Sequence, residues 1–171
     1  MEITTKQVQL EDLSKIRYEV HIGTSKKVDY LDIMILKFCG KYGYGSSGKA
    51  DAVYMRAIGK AAIEAWEPGG LIIDFSELSY EWGDQIESVF FVGGDKYGDT
   101  PFPVALIVGK NSEEAIRTLL VGLESEKGIE EIEWAFKNLE DAWEYIDGRI
   151  SLGDIPRLCK GDTYKNDLEF G

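Results

Sequence analysis

The chain has 171 residues, 44% of them hydrophobic and 12% aromatic, enough to bury a sizeable core within one domain. Its 31 acidic residues against 19 basic give a formal charge of -12, a field that repels nucleic acid and anionic membrane and favours a cationic protein partner. No apolar run approaches the roughly 20 residues needed to cross a bilayer, and the N-terminus has no basic stretch followed by an apolar one, so a soluble cytoplasmic protein is expected.

Residues 1–27 mix charge with scattered apolar positions and supply either a short strand or a short helix before Gly23-Thr24-Ser25. The segment 28–38, "VDYLDIMILKF", reads as a strand buried at its far end, followed by the glycine loop "CGKYGYGSSGK". From Asp51 the apolar residues Val53, Tyr54, Ile58, Ala61, Ala62 and Trp66 recur at helical spacing, and Pro68-Gly69-Gly70 ends that helix. "LIIDF", 71–75, reads as an apolar strand turning at Asp74-Phe75-Ser76-Glu77, "GDQIESVFFVGG" as a helix from Gly83, and "FPVALIVG" as a strand after the turn "GDTPFP".

Asn111 or Ser112 then caps a helix whose apolar face is Ala115, Ile116, Leu119, Leu120 and Leu123. "IEEIEWAF", 129–136, reads as a strand, and "NLEDAWEYIDG" as a last helix capped by Asn138 and ended by Gly148. The order predicts a single α/β domain over 1–171, with alternating strands and helices around a mostly parallel sheet. Its core lies at about 28–148, and 1–27 and 151–171 are peripheral. Cys39 and Cys159 lack the paired spacing of a zinc or redox motif and are expected to be free thiols.

The stretch "GYGSSGKA" satisfies two phosphate-loop patterns, through Gly43, Gly45 and Gly48 and through Gly43, Gly48 and Lys49. Ala50 stands where a P-loop needs a hydroxyl for magnesium, and Gly48 and Asp74 are 26 positions apart, further than the about 20 of a ribose-binding acid. The preferred reading is a flexible or hairpin-like glycine loop linking a strand to a helix, with Ser46, Ser47 and Lys49 solvated, and no cofactor is expected. His21 is the sole histidine and reads as a surface residue, with no nucleophile motif near it. The carboxylates Asp74, Glu77, Glu81, Asp84 and Glu87 crowd one region without a base or metal-ligand histidine, so no catalytic or metal residues are assigned.

Residues 71–146 resemble the domain shared by sulfate transporters and anti-sigma-factor antagonists, the STAS family. There an apolar strand ends in Asp-Leu-Ser, a short turn follows, and an Asp-Ser-Ser-Gly-Leu step opens the next helix. This chain reads Asp74-Phe75-Ser76, then Glu81-Trp82-Gly83-Asp84-Gln85-Ile86, and "PVALIVGKNSEEAIRTLLVGLES" and "IEWAFKNLEDAWEYI" have the look of the family's later elements. The resemblance places the family's phosphoacceptor serine at Gly83 and the following serine at Asp84. Glycine cannot take a phosphate, whereas a carboxylate at a helix start supplies a permanent negative charge.

The resemblance implies a non-enzymatic regulatory module that presents Ser76, Tyr80, Glu81, Trp82, Gly83, Asp84 and Glu87 to a partner protein. Of the aromatic residues there, Phe90 and Phe91 are expected in the core and Tyr80 and Trp82 near the surface. An acidic immunity protein that captures a basic toxin is the alternative within the binding class. "SYEWGDQI" and "FPVALIVG" also echo, more loosely, the oxyanion-hole arrangement of crotonase-type acyl-CoA enzymes.

Overall fold

The computed structural model describes residues 1–94 and 102–152, so the expected turn at 98–103 lies largely outside the described residues, as do the tail from 153 and Cys159. Five strands, β1 (Arg17–Thr24), β2 (Asp32–Lys41), β3 (Gly70–Ser79), β4 (Val104–Val108) and β5 (Ala135–Phe136), form one sheet in sequence order. β1 pairs antiparallel with β2, and every later neighbour is parallel. The described helices are α1 (Gly48–Trp66), α2 (Glu113–Val121) and α3 (Leu139–Ser151), joined by a 3-10 helix at Ile86–Phe91. The molecule is therefore an α/β protein, mostly parallel, with one antiparallel edge.

The alternation of side chains along a strand divides the core into two faces. Met34, Leu36 and Phe38 of β2 join Leu71, Ile73 and Phe75 of β3 on the face covered by α1, the 3-10 helix and Ile116 of α2. Ile33 and Ile72 join Ala105 and Ile107 on the face covered by Ala142, Ile146 and Ile150 of α3. Strands buried on both faces read as unbroken apolar runs, as these do. On α1 the buried stripe is Ala52, Met55, Ile58, Gly59, Ala62 and Ile63 together with Tyr54. Val53, Ala61 and Trp66, expected on the apolar face, are exposed.

Several boundaries differ from expectation for reasons outside the local sequence. β3 does not turn at Asp74–Glu77 but runs on to Ser79. β2 continues to Lys41, and the two keep pairing beyond an irregularity at Lys37/Cys39, with Cys39 opposite Glu77 and Lys41 opposite Ser79. Residues 129–136 are not one strand. A 3-10 turn at Ile129–Glu131 and the bond from the Ala135 N–H to the Ile132 carbonyl hold the chain in local turns, and only Ala135 and Phe136 reach β4.

Asn138 caps α3 as expected, its side chain accepting from the Asp141 N–H. Gly148, however, lies inside that helix, which continues to Ser151. Residues 17–24, outside the expected core, form a paired but mostly exposed edge strand. Its end is tied to α3 by Asp147, buried, which accepts from the Ser25 hydroxyl at 2.5 Å and the Lys26 N–H at 3.3 Å. His21 lies exposed on β1 beside Glu19 at 3.0 Å, and Cys39 is a buried free thiol.

Candidate functional site

Because β2, β3 and β4 are parallel, the loops that leave their carboxyl ends gather at one edge of the sheet, the edge where open α/β sheets place ligands. The loop after β2 is the glycine segment 42–48, the loop after β3 is the corner 80–85, and Gly109 to Ser112 follow β4. The first two are joined as if they extended the sheet. The Tyr42 N–H donates to the Ser79 carbonyl at 2.9 Å, Gly45 N–H to Trp82 O at 2.9 Å, and Asp84 N–H to Gly45 O at 3.0 Å, with a parallel bridge between Gly45 and Gly83. Below them Tyr42 and Tyr80 pack edge to face, 5.4 Å apart. The Tyr42 hydroxyl donates to Asp84 O at 2.6 Å and that of Tyr80 to Gly83 O at 3.2 Å.

The amides of the glycine loop have acceptors within the chain: Gly43 donates to the Asp51 carboxylate at 2.7 Å, Ser47 to Tyr44 O, Gly48 to Gly45 O and Lys49 to Ser46 O. The Asp51 carboxylate stands beside Gly43, and Ser46, Ser47 and Lys49 are exposed as expected. The Asp84 N–H, engaged with Gly45, is lost to an oxyanion hole.

The expected helix from Gly83 is absent because Gln85 adopts a left-handed backbone, φ 69°, and only the 3-10 helix from Ile86 follows. Asp84 therefore precedes the helical segment and lies in the linking corner, rather than in the first turn of an α-helix.

Between the corner and the start of α2 lies an open cleft of about 1060 Å³. Residues 79–85 and Glu87 form one wall, and Lys110, Asn111, Ser112, Glu114, Ala115, Thr118, Leu119 and Leu123 the other. Ser112, buried at the N-cap of α2, fixes the second wall. Its hydroxyl accepts from the Gly109 N–H and lies 3.3 Å from the Phe75 carbonyl. Trp82 is 58% exposed, packed against Tyr44 (65% exposed) with ring centres 5.4 Å apart, and Leu123 is 76% exposed just past Gly122, which ends α2 with a positive φ of 90°.

Among the expected partner-facing residues, Glu81, Trp82, Asp84 and Glu87 are exposed along the cleft, and Gly83 lines it with its backbone. Tyr80 is not a surface anchor. At 4% exposure it lines the cleft only marginally and serves as the buried support of the corner. Ser76 is exposed in β3 and does not line the cleft, its N–H donating to the Asp74 carboxylate at 2.8 Å. Phe90 is core, but Phe91 is exposed against expectation. The five carboxylates do not share a face: Asp74 and Glu77 belong to β3, and Glu77 pairs with Lys37 at 2.6 Å, which holds its carboxyl below the ordinary range. Among the described residues no three His, Cys, Asp or Glu converge as a metal site, and no helix is long and apolar enough to cross a membrane.

Comparison with known proteins finds no matching family model, no matching curated protein and no matching solved structure. Sequence reasoning missed Tyr44 and Lys110, and it expected Leu119 and Leu123 on the apolar face of a helix, whereas both are exposed and Leu123 lies past the end of α2. A tyrosine amid loop glycines was one available signal, and Gly122 before Leu123 another.

The paired tyrosines make the corner sensitive to alkali. Burial, reinforced for Tyr42 by the charge of Asp51, pushes both phenols above the ordinary value of about 10. A raised acid is favoured in its neutral form by folding. The stability that Tyr42 and Tyr80 contribute is thus complete below about pH 10 and is lost as pH rises toward their folded values. In an alkaline near-ultraviolet titration these tyrosines will ionise late, together with the shielded Tyr54. Tyr42→Phe will remove one late phenol and, by deleting the bond to Asp84, lower stability by about 0.5 to 1.5 kcal/mol.

Proposed function

We propose that this chain is a non-enzymatic, intracellular protein-binding module of STAS-like type, and that the cleft between the 80–87 corner and α2 is its partner surface. The observation that carries the reading is a hydrogen-bonded corner that exposes Trp82 across the cleft from Leu119 and Leu123, with Glu81, Asp84 and Glu87 on its own wall. Aromatic and aliphatic anchors within a charged rim are the composition of a protein interface.

The STAS-like register gains support from Gln85. It stands where the family motif has glycine, and its φ of 69° is a conformation that glycine adopts without steric cost. Gly83, at the phosphoacceptor position, has no hydroxyl and a backbone already packed against Gly43 and Tyr42. The module therefore works without a phosphorylation switch at that position, and Asp84 supplies a constant charge.

The test is affinity capture from the native cell with the intact chain and with a Leu119→Ser/Leu123→Ser variant as baits. Both leucines are exposed, so the variant stays folded, as circular dichroism will verify. The expected result is a partner retained by the parent chain and lost from the variant. Equal retention by both baits overturns the cleft as the binding surface. A regulatory protein as that partner supports the STAS-like reading, and a basic toxin moves the function to the immunity class.

A further inference from the structure

The corner carries a more specific recognition element than an acidic surface. The rings of Tyr44 and Trp82, tilted 59° to one another, stay more than half exposed although they touch. Among the described residues no cation lies over either ring. The cation–π contact among the described residues is elsewhere, Arg149 over Tyr145 at 5.8 Å.

Both residues are anchored through their main chains, Tyr44 O accepting from the Ser47 N–H and hydroxyl. Trp82 O accepts from Gly45 N–H, and the ring lies so close over Gly45 that a Cβ there would come within 3.0 Å of it, at a φ of 60° that already favours glycine. The pair is therefore organised before any partner arrives, which lowers the ordering cost of binding.

Exposed carboxylates lie beside the pair, and like Glu124, Glu126 and Glu140 they make no ion pair among the described residues, whereas other glutamates do. Glu77, Glu114, Glu130 and Glu133 each pair with a lysine or arginine. Glu81 and Asp84, which flank the Trp82-Gly83 step, and Glu87, one residue past Ile86, are exposed and make no ion pair within the described residues. Two π faces next to unpaired carboxylates complement a cation. Between the two basic side chains, arginine fits better, because its planar guanidinium stacks on a ring and still donates hydrogen bonds to a carboxylate at its edge.

Resting on the reading of this corner as partner-facing, we propose that Tyr44 and Trp82, with Glu81 and Asp84, form the seat for an arginine side chain of the partner protein. The carboxylates steer the guanidinium and the rings hold it. A lysine would occupy the same place with less contact.

The experiment uses the full chain labelled with nitrogen-15, the Trp82 indole N–H signal being assigned by its loss in Trp82→Phe. The probes are the blocked tripeptide alanine-arginine-alanine and its counterpart with citrulline, which has the shape of arginine without its charge. The arginine peptide is expected to shift the Trp82 indole and the Tyr44 amide, and the citrulline peptide to bind about 2- to 30-fold more weakly. Tyr44→Ala is expected to cost a similar factor, and added salt to weaken binding further.

Absence of a shift, equal shifts from the two peptides, or an undiminished shift in Tyr44→Ala overturns the seat. Because the capture experiment depends on Leu119 and Leu123, the two ideas fail separately. A partner lost with those leucines alongside a silent arginine titration refutes the seat and leaves the module reading in place.

Discussion

Gly83→Ala will lower the unfolding free energy by about 1 to 3 kcal/mol, a large change for a single methyl group. An added Cβ would lie 2.4 Å from the Gly43 carbonyl oxygen and 2.8 Å from a Tyr42 ring carbon. Neither neighbour can yield cheaply. The carbonyl is backbone, and the Tyr42 ring is held between Tyr80 and its own bond to Asp84. Relief requires the corner to move off the glycine loop, breaking the bonds from Gly45 N–H to Trp82 O and from Asp84 N–H to Gly45 O.

Urea unfolding of the parent and variant gives the change directly. Gly148→Ala supplies the opposite sign: Gly148 lies inside α3, where an added Cβ meets only the end of the Lys27 side chain at 3.9 Å, and replacing a helical glycine there will gain about 0.5 to 1 kcal/mol. If Gly83→Ala were as harmless as Gly148→Ala, the two loops would not be locked together.

Trp82→Ala will behave in the reverse manner, with little effect on folding and a large one on binding. The side chain is more than half exposed, so its removal should change stability by about 0.5 kcal/mol or less. A tryptophan anchor at the centre of an interface loses about 2 to 4 kcal/mol on truncation, a weakening of roughly 30- to 1000-fold in affinity for the captured partner.

Asp84→Ala separates charge from packing at the same place. Its N–H and carbonyl hold the corner whatever the side chain, so stability should again move by about 0.5 kcal/mol or less, while loss of a charged contact to a basic partner costs affinity. Titration calorimetry paired with denaturant unfolding reads both quantities. Unchanged affinity in both variants, with both folded, would reduce the corner to a structural turn.

What the sequence determined by itself was the sense of the fold. The stripe in 51–66 falls within α1, the apolar runs within β2, β3 and β4 mark buried strands, and Asn138 sets the start of α3, because each signal arises from groups a few positions apart along the chain. The exposed acidic residues and Trp82 were equally legible, since they contrast with the apolar strand before them.

Everything that makes those residues a site was decided at long range. β1 acquires its identity from β2, and the last residues of β3 are strand only because β2 continues alongside. The helix expected from Gly83 gives way to a bridge with Gly45, which lies 38 positions earlier, while Gln85 turns left-handed beside that junction. A glycine loop that resembles a phosphate cradle in isolation instead supports Trp82, because its N–H groups find acceptors on the neighbouring loop, on Asp51 and within itself before any ligand does. Backbone hydrogen bonds between distant segments carry no signature in side-chain order, so the juxtaposition of Tyr44 with Trp82 is a property of the folded sheet edge alone.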